Sequence, residues 1–284
     1  MPDKHIFIFG LGYVGRHLGC ALSLQGWRVT GTTRNPSKLN GVIPEDWTVL
    51  RFEGGSPIRG FSKYLDKCSH IISTISALSG HDPVLCSHHR EIKGFSGWTG
   101  YVSATSVYPS QKNGFIDENV LPNPTTKRGR DRVDAEKQWQ KLSNAEIFRV
   151  AGIYGPGRNA LDALREGRAR IIESPGQISN RIHQTDITNV IAAAIKQPRP
   201  KRIINVCDNK PTPQGDVIRF AAKLLNLPPP QPIQLKDAVL TPMARSFYVS
   251  NRRIKSVIIG PELGVKLEFP TYREGLKALF KKSD

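Results

Sequence analysis

The chain has 284 residues, 38% hydrophobic and 23% charged, proportions that suit a water-soluble globular fold of one large domain or two modest ones. Its 41 lysines and arginines against 24 acidic residues give a formal charge of +17, which favours anionic ligands, and no run approaches the roughly 18 apolar residues of a membrane span. Four widely spaced cysteines with no CxxC exclude a disulfide framework and fit free thiols in a reducing, cytoplasmic setting.

His5-Ile6-Phe7-Ile8-Phe9 reads as a buried strand and leads directly into Gly10-Leu11-Gly12-Tyr13-Val14-Gly15. Three glycines at this spacing between a strand and a helix predict a loop that holds a dinucleotide pyrophosphate. Gly10 allows the turn, Gly12 lets the backbone approach the phosphates, and Gly15 lets the helix lie close to the strand. The helix that follows carries Leu18, Ala21, Leu22 and Leu24 and offers its N-terminal N–H groups to the phosphates.

A second strand is predicted over 28–32. An NAD site carries an acidic residue about 20 positions beyond the glycines. This chain has Thr32-Thr33-Arg34 there, and its first carboxylate comes only at Glu45. Arg34 suits a 2′-phosphate, helped by the Thr32 and Thr33 hydroxyls, so the expected cofactor is NADP, with NAD the weaker fit.

Further strands are expected over 47–52, 70–74, 100–103, 146–150 and 202–206, and helices over 83–92, 125–142, 185–195 and 214–225. The alternation predicts an α/β fold, a Rossmann doubly wound parallel sheet. Cys86-Ser87-His88-His89 reads as a solvated histidine pair on a helix, and no metal site is assigned. The helix over 125–142 is polar, with Trp139 and Leu142 as apolar anchors, and is expected to cover the sheet only partly. Basic clusters over 127–132, 165–170, 196–202 and 252–255 are scattered and lack interleaved aromatics. A solvated basic surface that attracts anionic ligands therefore ranks ahead of nucleic-acid binding.

Several later segments carry a resemblance. Tyr101-Val102-Ser103-Ala104-Thr105-Ser106-Val107-Tyr108, Phe148-Arg149-Val150-Ala151-Gly152-Ile153-Tyr154-Gly155-Pro156-Gly157, Arg181-Ile182-His183-Gln184-Thr185-Asp186-Ile187 and Ile204-Asn205-Val206 follow in order. They resemble the extended epimerase/dehydratase branch of the short-chain dehydrogenase/reductase superfamily. Ile71-Ile72-Ser73-Thr74-Ile75-Ser76 and Phe269-Pro270-Thr271-Tyr272-Arg273-Glu274-Gly275-Leu276 are most similar to its small YeeZ-like subgroup. The resemblance implies a Rossmann domain over 1–155 with a returning segment at about 180–206, and a small C-terminal substrate region over 156–284. It also implies cofactor contacts at Leu11, Tyr13 and Val14 of the loop, at Ser73, Thr74 and Ile75, and at Ser103, Ala151 and Gly152. Asp186 is expected to support structure.

The family's chemistry implies a tyrosine, a lysine four residues later and a serine or threonine. Anchored on Ala135-Glu136, the tyrosine position falls on Arg128, the lysine position on Arg132, and the serine position on Ala104. Arg132 can hold a ribose hydroxyl or a phosphate but cannot exchange protons, and Arg128 can clamp an anion or polarise a carbonyl. Thr105 can turn into the site if the strand ends beside it. Proton transfer then falls to Tyr108, Tyr154 or His183, each with structural packing as the competing reading. The catalytic candidates are Thr105, Arg128 and Tyr108. Two functions follow: an NADP-dependent oxidoreductase or epimerase-like enzyme acting on a small polar or anionic substrate such as a nucleotide sugar, or an NADP(H)-binding sensor without turnover. An oligomer is left open.

Overall fold

A computed structural model describes residues 4–77, 80–111, 113–248 and 250–281. In chain order its elements are β1 (His5–Phe9), α1 (Tyr13–Ser23), β2 (Arg28–Thr33), β3 (Thr48–Arg51), α2 (Phe61–Leu65), β4 (His70–Ser73), α3 (Pro83–Gly94) and β5 (Trp98–Ala104). They continue with α4 (Lys127–Ser143), β6 (Glu146–Val150), β7 (Gly152–Tyr154), α5 (Ala160–Arg165), β8 (Ile171–Glu173), β9 (Arg181–His183) and α6 (Gln184–Lys196). The last are β10 (Ile203–Val206), α7 (Gln214–Leu224), β11 (Pro232–Gln234), α8 (Pro242–Tyr248) and α9 (Tyr272–Lys281).

Ile6, Phe7, Ile8 and Phe9 expose none of their surface, because β1 lies inside a seven-stranded sheet of order β10-β6-β5-β4-β1-β2-β3. A strand covered on both faces has no polar face to show, which is why the run is apolar throughout. The β1–β2, β1–β4, β2–β3 and β4–β5 pairs are all parallel, with Phe7 opposite Thr30 on one side and Ile71 on the other. The strand order reverses between β1 and β4, which makes a Rossmann doubly wound sheet with its switch point beside the glycine loop.

Contacts divide the chain into two compact units. The first holds Met1–Val107, Lys127–Arg149 and Thr188–Ile204, and the second holds Tyr108–Thr126, Val150–Ile187 and Asn205–Asp284. The segment Tyr108–Thr126 joins the second unit because Ile116 forms a parallel bridge with Ile254, while Glu118 accepts from the Asn205 and Val257 backbone N–H groups. That unit has its own apolar centre of Tyr154, Leu161, Val217, Tyr272, Leu276 and Leu279.

Two local expectations are corrected. His88 lies on α3 but is not solvated: it is buried, its ring 4.2 Å from that of Phe61, and its Nε2 accepts the Ile58 N–H at 3.1 Å. His89 is the exposed member of the pair. The polar helix α4 buries a full stripe, Gly129, Arg132, Ala135, Glu136 and Trp139, at helical spacing. Glu136 can lie within that stripe because it is partnered. Arg149 on β6 donates to Glu136 through Nη2 at 2.8 Å and Nε at 3.2 Å, with both side chains almost wholly buried. On the same sheet Arg202 pairs with Glu146 at 2.7 Å, so part of the basic sequence is interior.

Candidate functional site

The glycine loop has the geometry its spacing predicts. Gly10 takes a φ of +93°, open to few residues but glycine, and a Cβ on Gly15 would lie 2.1 Å from the Gly10 carbonyl oxygen. A Cβ on Gly12 would meet nothing within 4 Å, so the space above it is open to a pyrophosphate. Gly12 is also the N-cap of α1, and no side chain caps that end, which leaves its N–H groups to an anion. The residues present therefore fit a dinucleotide.

The threonines and serines around the loop brace it. Thr32 is wholly buried and its Oγ1 accepts the Gly10 N–H at 2.9 Å, so its hydroxyl supports the loop and is not presented to a 2′-phosphate. Thr74 Oγ1 donates to the Gly10 carbonyl at 2.7 Å, and Ser73 is buried at the end of β4. Leu11 is buried with its N–H on the Thr32 carbonyl at 2.6 Å, Tyr13, Val14 and Ile75 are half-buried, and Thr33 is half-exposed. Arg34 is exposed just past β2, with no carboxylate beside it in sequence.

Arg132 reaches the same end of the sheet from α4. Its Nη2 donates to Ser76 Oγ at 2.8 Å, three residues past β4, while its buried Nε and Nη1 have no partner among the described residues. On β5, Thr99 bonds Ser143 of α4 and Tyr101 stacks on Trp139 at 5.8 Å, so alternation turns Ser103 to α4 as well. The Ser103 and Ser106 hydroxyls are likewise buried without partners. Ala104 ends β5, and Thr105 opens a short 3-10 turn, half-buried; Arg128 is exposed on the first turn of α4.

The proton-transfer candidates are each held by packing and hydrogen bonds. Tyr108 exposes none of its surface and donates its hydroxyl proton to Asn205 Oδ1 at 2.8 Å, the geometry of a packing role. Tyr154 is buried in the second unit, where burial and the nearby Asp208 carboxylate push its phenol well above the usual tyrosine range. His183 packs 4.2 Å from the Phe269 ring and uses Nδ1 to accept the Thr185 N–H. Asp186 binds the Glu268 and Phe269 N–H groups at 2.7 and 3.1 Å, a structural clamp.

The second unit contains a cavity of about 460 Å³ into which Arg158, Arg168, Arg170 and Arg181 face together with Tyr154 and Tyr248. No carboxylate lines it among the described residues. Arg181 is anchored through Nη1 to the Ser179 and Thr212 carbonyls, both at 3.1 Å. Behind it lies Asp208, whose Oδ1 accepts the Arg181 N–H at 3.1 Å and whose burial raises its carboxyl to about 7. Ala151 and Gly152, expected near the cofactor, belong to this unit, where Gly152 also lines the cavity.

No protein-family profile matches the chain. Over 256 residues it is 25% identical to Protein YeeZ of Escherichia coli K12, covering 80% of this chain and 86% of that one. A solved structure of a conserved protein of unknown function from Silicibacter pomeroyi is 41% identical over 99% of both chains, with a TM-score of 0.91. The chain is thus similar to YeeZ along most of its length, and it shares the fold of a solved NAD-dependent epimerase/dehydratase-type protein at a TM-score of 0.75. MoeE5, solved with UDP-glucuronic acid and NAD, shares the fold at a TM-score of 0.77 over 98% of each chain, at 19% identity.

In this YeeZ-like protein, three features escaped the sequence. The Glu136–Arg149 pair joins residues far apart on a helix and a strand, so no local pattern announces it. The cavity arginines come from three separate segments, and only Arg168 and Arg170 fall in one basic cluster. Asp208 gave no signal at all, since its environment is entirely tertiary.

Proposed function

We propose that this protein is an NADP-dependent oxidoreductase or epimerase-like enzyme acting on a small anionic substrate such as a nucleotide sugar. The observation that carries the reading is the glycine loop, open above Gly12 and uncapped at α1, followed by exposed Arg34 in place of the acid of an NAD site. In this reading the loop holds the pyrophosphate, Arg34 holds the 2′-phosphate, and Arg132 with Ser76 and Ser103 holds the second ribose. When bound, the cofactor supplies or accepts a hydride. The arginine-lined cavity suits the anionic part of the substrate, since guanidinium groups bind phosphate and carboxylate oxygens bidentately. A nucleotide-sugar substrate draws support from MoeE5, which was solved with UDP-glucuronic acid. The free thiols fit a reducing, cytoplasmic setting, and no helix among the described residues is long and apolar enough to cross a membrane.

A second reading is an NADP(H) sensor without turnover. It is favoured by Arg128 and Arg132 at the positions where proton exchange is expected, and by the commitment of Tyr108, Tyr154 and His183 to packing. Deuteride transfer separates the two. Labelled NADPH incubated with a library of sugar nucleotides and carbonyl compounds transfers its label if the protein is an enzyme. Tight NADPH binding with no transfer to any member supports the sensor.

A further inference from the structure

Arg132 is a buried cation with no ion-pair partner among the described residues. It is 5% exposed, its Nε and Nη1 find no partner among the described residues, and only Ser76 accepts from it. The carboxylates around it are engaged elsewhere. Both oxygens of Glu136 accept from Arg149, Asp131 pairs with Lys127 at 3.0 Å, and Asp82 accepts the Val84, Leu85 and Trp139 N–H groups. Arg128, one turn earlier on α4, adds repulsion, and burial keeps the Tyr101 phenol protonated. A buried charge without a counter-charge is expensive, so its field acts on whatever occupies the space beside it.

The sheet says what that occupant is. A doubly wound sheet binds one mononucleotide on each side of its switch point, outside the carboxyl ends of the strands. The glycine loop and Arg34 belong to β1 and β2, which leaves the nicotinamide half for β4 and β5, where Arg132 meets Ser76. The oxidised nicotinamide ring carries a positive charge and the reduced ring none. We infer that Arg132 makes this protein discriminate the redox state of its cofactor, holding NADPH more tightly than NADP⁺. The inference rests on the NADP reading above and goes beyond it, because it assigns a function that needs no proton donor and no substrate. A tenfold preference needs only about 1.4 kcal/mol of repulsion between the two charges, within the range of a partly shielded buried pair.

The test is a pair of titrations at one pH and salt concentration, NADPH and NADP⁺, on the wild type, Arg132→Gln and Arg132→Lys. The wild type is expected to bind NADPH about tenfold more tightly, Arg132→Gln to bring the two affinities within about twofold, and Arg132→Lys to keep the preference, since charge and not shape sets it. Equal affinities in the wild type overturn the inference, as does an undiminished preference in a folded Arg132→Gln protein. If neither nucleotide binds the wild type, the NADP reading fails and the inference with it. If the glutamine variant does not fold, Arg132→Met takes its place and is read in the same way, and equal wild-type affinities overturn the inference in either case.

Discussion

Asp208 is the residue at which burial and ionisation conflict most plainly. Its Oδ1 accepts from Asn180 and Arg181, yet its buried Oδ2 has no partner among the described residues, and burial raises its carboxyl to about 7. A carboxyl raised above its unfolded value contributes most while it is protonated, and that contribution is lost as pH rises through the folded value. The wild type should therefore lose about 2 kcal/mol of unfolding free energy between pH 5 and pH 8 relative to Asp208→Asn, measured by urea denaturation. Parallel pH curves for the two proteins would show that Asp208 ionises as an exposed carboxyl does. Arg181, whose backbone N–H meets this carboxyl, lines the arginine cavity, so the same proton sits behind the arginine-lined wall.

At the scale of elements, α4 carries the most weight. It covers β5 through Trp139 and Tyr101, and reaches β6 through the Glu136–Arg149 fork. Replacing Glu136 by Gln removes the charge partner of a guanidinium in the dry interior and should cost about 3–5 kcal/mol in chemical denaturation, far more than a surface pair. A loss below about 1 kcal/mol would mean the fork is solvent-screened. The extent of α4 was legible from the sequence, but its packing was not. Hydropathy treats every charge as surface, whereas here two charges 13 residues apart in the chain neutralise each other between a helix and a strand. The strands β1, β4 and β6 were legible from their apolar, β-branched cores, and β2 from its β-branched Val29, Thr30, Thr32 and Thr33. Strands β7, β8, β9 and β11 have three residues each, too few for any periodicity, and they are made by partners distant in sequence.

At the scale of the whole molecule, the two units divide what the sequence makes clear from what it leaves open. The first is a Rossmann unit whose proposed nucleotide site is written locally, in one loop and one strand end, so the tight strand-to-helix turn of Gly10, Gly12 and Gly15 could be read directly. The second is assembled from three separated stretches, and its arginine cavity and buried carboxyl exist only once those stretches meet. For the same reason the expected catalytic tyrosine Tyr108 turned out to be a buried post for Asn205. The central claim is NADP selectivity, and calorimetric titration of NADPH and NADH into the wild type and Arg34→Asp tests it most directly. NADPH should bind the wild type at least about tenfold more tightly than NADH, and Arg34→Asp should abolish that margin, because a carboxylate repels the 2′-phosphate that a guanidinium holds. Equal affinities in the wild type, or an unchanged margin in Arg34→Asp, would contradict the account.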